Sequence, residues 1–283
     1  MCGVVLKINE MLNEFNRSER MVAEYILSNL DKIVGLTISE LAQRSKTSKA
    51  TVIRFCRLVG SKGYRDFTIK LAAETAISKN GSSKTDYIDI SVGDDIELIL
   101  RNVCLNNKKA IDDSYLISDM ESIKKAVDAI IRAKKLNFYG VGASNIVAMD
   151  ACHKFLRINK NSIAHPDAHI QLTAASNLDN EDVAVAISWS GTTNEIIQCV
   201  KLAKDNGATV ISITKYGRNP VADLSDIKLM LVSPETTIRC GAMSSRIAQL
   251  NMIDILYSCI VSKEYHNVKQ YLERTSKNIK AVK

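Results

Sequence analysis

The sequence predicts two domains, an all-α domain containing a helix-turn-helix, followed by an α/β three-layer sandwich with a parallel sheet. Three observations lead to this prediction. Over roughly the first third of the 283 residues, apolar side chains recur at helical spacing. A polar, Gly- and Ser-rich stretch follows at 78–94. From Leu136 onward, short apolar β-forming runs alternate with single helical segments, which is typical of a parallel sheet with helices on both faces.

The chain is therefore predicted to consist of four parts. The Gly/Ser-rich stretch is interpreted as a linker because such residues favour a flexible chain. The parts are a helix-turn-helix domain at 1–77, the linker at 78–94, an α/β domain with leading helices at 95–262, and a C-terminal helical tail at 263–283.

Composition and length exclude several classes of protein. Hydrophobic residues make up 46% and charged residues 24% of the chain, so it can bury a real core. No apolar run approaches the roughly 18 to 20 residues of a membrane span, and the first residues lack the basic-then-apolar arrangement of a signal peptide. A cytoplasmic protein without membrane contact is expected.

The spacing of cysteine and histidine argues against disulfides and bound metal. The seven cysteines are scattered and never form a CxxC pair, so reduced thiols are expected. The four histidines form no HxxxH or HExxH pattern. No metal site is predicted.

Positive charge is concentrated in the first third of the chain. Residues 1–80 contain 13 Lys/Arg against 8 Asp/Glu and so carry +5 of the net +7. Within 44–70, eight basic residues are opposed only by Asp66. Because such a concentration neutralises a phosphate backbone, nucleic acid is the leading partner of this segment.

The first domain begins with predicted helices. Residues 1–30 have two apolar stripes at helical spacing, and Ser18 is the candidate N-cap of the second. Thr37 or Ser39 can then open a short helix that ends at Arg44.

A tight polar turn and a second helix complete the helix-turn-helix candidate. Ser48 can cap this helix at 49–59, and Gly60 would close it. Its apolar residues follow the spacing of a buried face, which leaves Thr51 and the basic residues on the exposed side. A helical bundle with a solvated basic face is the alternative. The residues expected to contact DNA are Lys46, Ser48, Lys49, Thr51, Arg54, Arg57, Lys62 and Tyr64.

The second domain combines apolar helices with strands. Helical stripes at 95–113 and 245–260 are candidates for subunit contacts or, equally, for the domain core. A further helix is predicted at 120–133. The predicted strands are 136–141, 162–165, 183–187, 209–214 and 227–232.

Residues 183–195 are the most informative part of this domain. The first five are apolar β-formers, the pattern of a strand buried on both faces. Residues 188–193 contain four hydroxyls and Gly191 ahead of a helix. Because a helix N-terminus offers unpaired N–H groups and the positive end of the helix dipole, we expect this turn to bind phosphate. An ordinary Ser/Thr N-cap is the alternative.

The loop at 140–144 follows the first predicted strand. A GxGxxG dinucleotide fingerprint would need glycine at Asn145 and an acidic residue about 20 positions further on, at a strand end. The sequence lacks both. No dinucleotide cofactor is predicted.

Motifs in both domains resemble known families. The stretches 36–42, 48–57 and 60–67 resemble the DNA-binding domain of the RpiR family of bacterial transcriptional regulators. The stretches 140–144, 167–171, 188–193 and 239–250 resemble the flavodoxin-like sugar isomerase (SIS) domain, which binds phosphorylated sugars and forms the C-terminal half of those regulators.

The resemblance implies a transcriptional regulator of sugar metabolism. It implies that the first domain binds operator DNA within a homodimer or homotetramer, and that a phosphorylated sugar, with amino-sugar phosphates among the candidates, binds the SIS domain as effector. The residues expected around the effector are Gly142, Ala143, Ser144, Ser188, Trp189, Ser190, Gly191, Thr192, Thr193 and Glu235.

Two other functions stay open at this point. SIS domains also occur in isomerases, and Glu195, Glu235 or His169 could serve as the general base of an aldose–ketose isomerisation. No motif aims these groups at a substrate carbon; Glu235 is expected to accept hydrogen bonds from sugar hydroxyls and His169 to cap its helix. A module whose helix-turn-helix contacts only protein is disfavoured by the charge at 44–70. No catalytic residue is predicted.

Overall fold

The computed structural model describes residues 3–79, 93–233 and 242–281. The chain divides into two compact units, Met1–Asp94 with Tyr115–Ile117 and Asp95–Ser114 with Ser118–Lys283. Most of the predicted linker at 78–94 lies outside the described residues, and so does Glu235.

The first unit is helical, as predicted. Asn16, and not Ser18, caps its second helix: the Asn16 side chain accepts hydrogen bonds from the backbone N–H groups of Ser18 and Glu19, and the Glu19 carboxylate accepts one from Asn16 N. The expected cap was wrong because Asn followed three residues later by Glu forms a reciprocal capping box. The helices are α1 (Val4–Glu10), α2 (Arg17–Ser28), α3 (Leu30–Ile33), α4 (Ile38–Arg44), α5 (Lys49–Leu58) and α6 (Tyr64–Lys79).

Helices α4 and α5 form the helix-turn-helix. Thr37 caps α4 and shares a capping box with Glu40, while Ser48 caps α5 by accepting a hydrogen bond from Thr51 N at 3.1 Å. The Ser48 cap was predicted, and Thr37 was one of the two residues considered for the first cap. Gly60 follows α5 with a φ of +80°, the left-handed conformation that commonly ends a helix.

Aromatic packing fixes α5 within the first unit. The Phe55 ring of α5 lies 5.1 Å from the Phe15 ring and 6.2 Å from the Phe67 ring of α6, and all three side chains are buried. Such aromatic contacts contribute beyond their buried area. A packed core therefore fixes the buried face of α5, and with it the orientation of the exposed face.

The second unit is an α/β sandwich. Its described residues form a parallel sheet of five strands in the order β2-β1-β3-β4-β5. The strands are β1 (Lys135–Tyr139), β2 (Asn161–Ala164), β3 (Val183–Ile187), β4 (Thr209–Lys215) and β5 (Ile227–Leu231). The helices are α7 (Ile96–Ile117, of which Tyr115–Ile117 are assigned to the first unit), α8 (Met120–Arg132), α9 (Ala143–Arg157), α10 (Ala168–Ser176), α11 (Asn194–Asp205), α12 (Pro220–Leu224), α13 (Met243–Lys263) and α14 (Tyr265–Ala281).

Strand β3 shows why this unit has three layers. Val183, Val185 and Ile187 pack into a core shared with α8, α9 and α13. Ala184 and Ala186 point the other way and pack with α10 and α11. Because successive side chains of a strand alternate between faces, helices cover the sheet on both sides. The prediction of a parallel sheet with this strand at its centre is confirmed.

The strand order reverses between β1 and β3. Strand β1 pairs with β2 on one side and with β3 on the other. In open parallel sheets, ligands bind beyond the C-terminal strand ends at such a reversal. This placement selects the loops at 140–142 and 188–193.

The two stripes considered for subunit contacts differ in burial. On α13, Ala248, Met252 and Leu256 belong to the core of the second unit. On α7, Ile96 and Leu100 are 85% and 65% exposed. The α7 stripe therefore keeps large apolar side chains in solvent, whereas these α13 residues are buried.

The structure also bears on membrane contact, metal binding and the reactivity of the thiols. Within 3–79, 93–233 and 242–281, no helix is long and apolar enough to cross a membrane, and no cluster of three His, Cys, Asp or Glu could hold a metal ion. Burial raises the pKa of the thiols of Cys56 and Cys199 to about 12. Both thiols are therefore protonated near neutral pH and poorly reactive.

Candidate functional site

The loops after β1 and β3 enclose a small cavity at the C-terminal edge of the sheet. Its volume is about 90 Å³. Among the described residues, its lining contains hydroxyls and apolar groups but no charged side chain. The lining residues are Val141, Ala143, Ser144, Ile187, Ser188, Trp189, Ser190 and Thr193.

The hydroxyls of the 188–193 turn bond to one another. Ser188 Oγ and Thr193 Oγ1 share a hydrogen bond of 3.2 Å, and Ser190 Oγ accepts one from Thr192 Oγ1 at 2.9 Å. Thr193 occupies the N-cap position of α11, yet its side chain forms no capping hydrogen bond. The ordinary N-cap is therefore not the role of this hydroxyl, and the first N–H groups of α11 keep their donor capacity.

Asn219 sets the shape of this turn from the neighbouring segment. A Cβ on Gly191, whose φ is +66°, would lie only 1.9 Å from Asn219 Oδ1. That oxygen accepts a hydrogen bond from Ala222 N, and Asn219 Nδ2 donates to Thr214 Oγ1 at 3.2 Å. Glycine is therefore required at 191 for two reasons that do not depend on a ligand: its backbone conformation and the buried Asn219 side chain.

The sequence reasoning missed Asn219 and α12. Asn219 is the N-cap of α12 and Pro220 is its first residue. This pair is itself a helix-start signal, since Asn is a favoured cap and proline is favoured at the first helical position.

The loop after β1 presents a second helix N-terminus. Gly142 stands at the N-cap of α9 with a φ of +59° and supplies no side-chain cap. Ser144, in the first turn of α9, is 9% exposed, and its Oγ accepts a hydrogen bond from Gln249 Nε2 at 3.3 Å. A Cβ on Gly140 would lie 2.6 Å from the Ser144 carbonyl oxygen. Glycine at 140 thus lets α9 start close to the strand end.

Gln171 of α10 forms hydrogen bonds with the backbone of the loop after β1. Its Nε2 donates to Gly140 O at 2.8 Å and to His165 O at 2.7 Å, and its Oε1 accepts from Gly140 N at 3.2 Å. Asp167 caps α10, because its Oδ1 accepts from Ile170 N. The expectation that His169 caps this helix is wrong: a carboxylate one residue before the helix is the stronger acceptor for the free N–H groups.

Most of the predicted DNA-binding residues are exposed, but Thr51 is buried and Tyr64 is half-buried. Thr51 is only 8% exposed and its hydroxyl bonds to Ser48 Oγ at 2.9 Å, so its expected surface position is wrong. It lies one helical turn before the buried Phe55 and follows that side chain inward. The exposed members are Lys46, Ser48, Lys49, Arg54, Arg57 and Lys62.

Tyr64 is partly committed to the fold of the first unit. Its hydroxyl donates to the carbonyl oxygen of Leu36 at 2.7 Å. Burial raises the pKa of this phenol to about 12, so it is protonated at neutral pH. Contact of Tyr64 with DNA would use the ring edge or would exchange this hydrogen bond.

Comparison with known proteins finds matches for both parts of the chain. Residues 2–78 match the model of the helix-turn-helix domain of the rpiR family, and residues 129–259 match that of the SIS domain. An HTH-type transcriptional regulator of Caldanaerobacter subterraneus subsp. tengcongensis is 44% identical over 278 residues, which are 98% of this chain and 96% of that one. The HTH-type transcriptional regulator HexR of Pseudomonas aeruginosa is 34% identical over 281 residues, 99% of this chain and 96% of its own.

A solved structure matches over the whole length. The NanR protein of Vibrio vulnificus, complexed with ManNAc-6P, is 28% identical with a TM-score of 0.63 and covers 99% of both chains. Fold and matches together define a helix-turn-helix transcriptional regulator that carries an SIS domain. The chain belongs to the RpiR family of these regulators, as the motifs predicted.

Proposed function

We propose that this regulator binds operator DNA of sugar-metabolism genes through α4 and α5, and that a phosphorylated sugar bound beside β1 and β3 changes this binding. One observation carries the effector half: α9 and α11 both begin without a side-chain cap, next to the hydroxyls of Ser144, Ser188, Ser190 and Thr193. Unpaired N–H groups at two helix N-termini favour an anion.

The parts of the cavity are assigned different roles in this proposal. The turn with Ser188, Ser190 and Thr193 holds the phosphate, and the loop from Gly142 through Ser144 faces the sugar. Trp189 also lines the cavity, whereas Thr192 is exposed and lies outside its lining. The complex of NanR with ManNAc-6P supports an amino-sugar phosphate as the first ligand to test.

The DNA half of the proposal rests on charge and on a rigid frame. Lys49, Arg54 and Arg57 extend from a helix whose other face is packed against Phe15 and Phe67. Long basic side chains on such a helix can meet both phosphates and base edges. With DNA as its partner, the protein acts in the cytoplasm.

Binding, rather than catalysis, is the proposed activity of the SIS domain. The relatives from Caldanaerobacter subterraneus and Pseudomonas aeruginosa are named as transcriptional regulators. Of the candidate general bases, Glu195 and His169 are exposed and do not line the cavity, and Glu235 lies outside the described residues. A general base must reach the proton it abstracts.

The effector has to alter how DNA-binding domains are presented. We propose a homodimer or homotetramer in which residues 78–94 link the two domains and the exposed α7 residues Ile96 and Leu100 contribute to subunit contacts. The effector then shifts the equilibrium only if it binds one arrangement better than another.

Tryptophan fluorescence offers a direct test, because Trp189 is the single tryptophan of the chain. The full chain is titrated with ManNAc-6P, other hexosamine and hexose phosphates, and the unphosphorylated sugars as controls. We expect saturable changes only with phosphorylated sugars, and a matching change in operator affinity. No response to any phosphosugar, or conversion of a bound aldose phosphate to its ketose in an NMR assay, would contradict the proposal.

A further inference from the structure

We propose that Glu19 is a positioning residue for DNA recognition, which holds Arg54 in one orientation on the exposed face of α5. Glu19 lies in α2, outside the helix-turn-helix and 35 residues away in sequence. The inference rests on the proposed function, since it takes α5 as the helix that contacts DNA.

The contact has a buried end and an exposed end. Arg54 Nε donates a hydrogen bond to Glu19 Oε1 at 3.0 Å. The Glu19 side chain is 8% exposed, whereas the Arg54 side chain is 58% exposed. The carboxylate is thus part of the packed unit while the guanidinium reaches toward solvent.

The position of the Glu19 carboxylate is set by the start of its own helix. Its second oxygen, Oε2, accepts a hydrogen bond from Asn16 N at 3.2 Å, and Glu19 N donates to Asn16 Oδ1 at 3.0 Å. This reciprocal capping box fixes both the backbone and the side chain. One carboxylate therefore ties the start of α2 to the outer face of α5.

The consequence for Arg54 follows from the shape of the guanidinium. Among the described contacts, its side chain bonds to protein through Nε only, so the two Nη groups keep their hydrogen-bonding capacity. A planar pair of donors matches guanine O6 and N7 in the major groove, or two phosphate oxygens. Because the contact at Nε already restricts the Arg54 side chain, this side chain loses less rotamer freedom when it binds DNA.

Glu19 should act on specificity more than on general affinity. Its negative charge lies beside the DNA-binding face, where it weakens attraction to any phosphate backbone. At the same time it directs the Arg54 fork toward one place in the groove. Glu19 should therefore lower the affinity for non-specific duplex and raise the affinity for the cognate sequence.

The experiment compares variants of the full chain on two kinds of DNA. Operator sequences are first enriched by the wild-type chain from a library of random duplexes. Affinities of Glu19→Gln, Arg54→Ala and the double variant are then measured for the enriched duplex and for its scrambled version. Gln keeps the capping box, since Glu and Gln both serve at that position, and circular dichroism verifies the fold.

A matched control is available in α4. Glu40 occupies the same capping-box position as Glu19, and its carboxylate accepts hydrogen bonds from Thr37 N and Thr37 Oγ1 at 2.7 Å each. Glu40→Gln therefore removes the same charge and retains the same kind of cap, without touching the Arg54 contact. Any general effect of charge on DNA binding will be common to both variants.

We expect Glu19→Gln to lower the ratio of specific to scrambled affinity by roughly two- to fivefold, in the range of a partly exposed ion pair, and Glu40→Gln to leave it unchanged. In the Arg54→Ala background, Glu19→Gln should have no further effect on the ratio. Should Glu19→Gln fail to fold, Arg54→Lys gives a second test. It keeps the positive charge but removes the guanidinium, and it should lower the ratio of specific to scrambled affinity.

Two outcomes separate this inference from the proposed function. A wild-type chain that enriches an operator, while Glu19→Gln and Glu40→Gln show the same ratio, overturns the role of Glu19 alone. A wild-type chain that enriches no sequence overturns the proposed DNA binding and this inference with it.

Discussion

The two candidate binding regions are both proposed to bind phosphate, but they are built from different chemical groups. The face of α5 offers long charged side chains in solvent, such as Lys49 and Arg57. The cavity beside β3 offers short hydroxyls and backbone N–H groups, with no charged side chain among its described lining. The first region attracts phosphate through charge, and the second must recognise it through geometry.

This difference predicts different responses to mutation. Charged side chains in solvent act over distance and tolerate small displacements. Donors in a narrow cavity work only when each stands at hydrogen-bonding distance. Changes of shape should therefore damage the effector site most, and changes of charge should damage the DNA-binding face most.

The largest expected effect is that of a single methyl group at Gly191. Gly191→Ala should destabilise the second unit by about 2 to 5 kcal/mol, because it adds a strained positive φ to a collision with Asn219. Effector binding should be lost as well. Urea unfolding followed by Trp189 fluorescence measures the first effect, and phosphosugar titration the second.

Gly142→Ala is the matched control for that substitution. Gly142 has a similar φ of +59°, but an added Cβ would meet nothing within 4 Å. The cost should be limited to the backbone strain of roughly 1 to 3 kcal/mol. Equal destabilisation by the two variants would show that the contact with Asn219 does not shape the turn.

The next effect concerns the hydroxyls that are proposed to bind the phosphate. Ser190→Ala and Thr193→Val should each weaken the phosphosugar by about ten- to a hundredfold, since a hydrogen bond to a charged group contributes roughly 1.5 to 3 kcal/mol. Thr193→Val is close in shape and so isolates the hydroxyl. Operator binding without effector should be unchanged, as measured by fluorescence anisotropy.

A wild-type effector response from both hydroxyl variants would remove the phosphate from this turn. Loss of operator binding in either variant would instead indicate a structural role for the 188–193 segment.

A comparable range is expected on the DNA-binding face. Lys49→Ala should weaken operator binding by about 1 to 3 kcal/mol if the ammonium reads a base, and should make the salt dependence shallower if it meets only phosphate. Anisotropy titrations at several KCl concentrations distinguish the two cases. Unchanged affinity at every concentration would mean that the N-terminal end of α5 does not approach DNA.

Local signals in the sequence were sufficient to place β3 and the Ser48 cap, and they narrowed the first cap of the helix-turn-helix to Thr37 or Ser39. The apolar run at 183–187 has a length and composition that fit a buried strand, and Thr37 and Ser48 stand directly before apolar periodic segments. Such signals depend on neighbours within a few residues. They therefore survive without knowledge of the tertiary structure.

Features that depend on distant contacts were not predictable in this way. The pair of Glu19 and Arg54 joins two helices far apart in sequence, so the charge count over 44–70 overlooked the acidic partner. Asn219 packs against Gly191 from a segment after β4. Both contacts follow from the fold, and no periodicity in the chain encodes them.

The smallest expected effect is that of salt on the effector site, and it tests the comparison directly. Each phosphate neutralised by Lys or Arg releases counterions, so operator affinity should fall steeply with salt, with a log–log slope of about −0.9 per phosphate contact. At the proposed site the effector would meet neutral hydroxyls and oriented N–H groups at short range, where screening over a Debye length of about 8 to 10 Å has little influence. Raising KCl from 50 to 200 mM should therefore change phosphosugar affinity by less than about twofold while weakening operator binding by at least about tenfold. Ionic strength is set with KCl because sulfate and phosphate anions would compete with the effector for the same site. A phosphosugar affinity that falls in parallel with operator affinity would mean that cationic side chains, and not the neutral turn at 188–193, supply the main attraction for the effector.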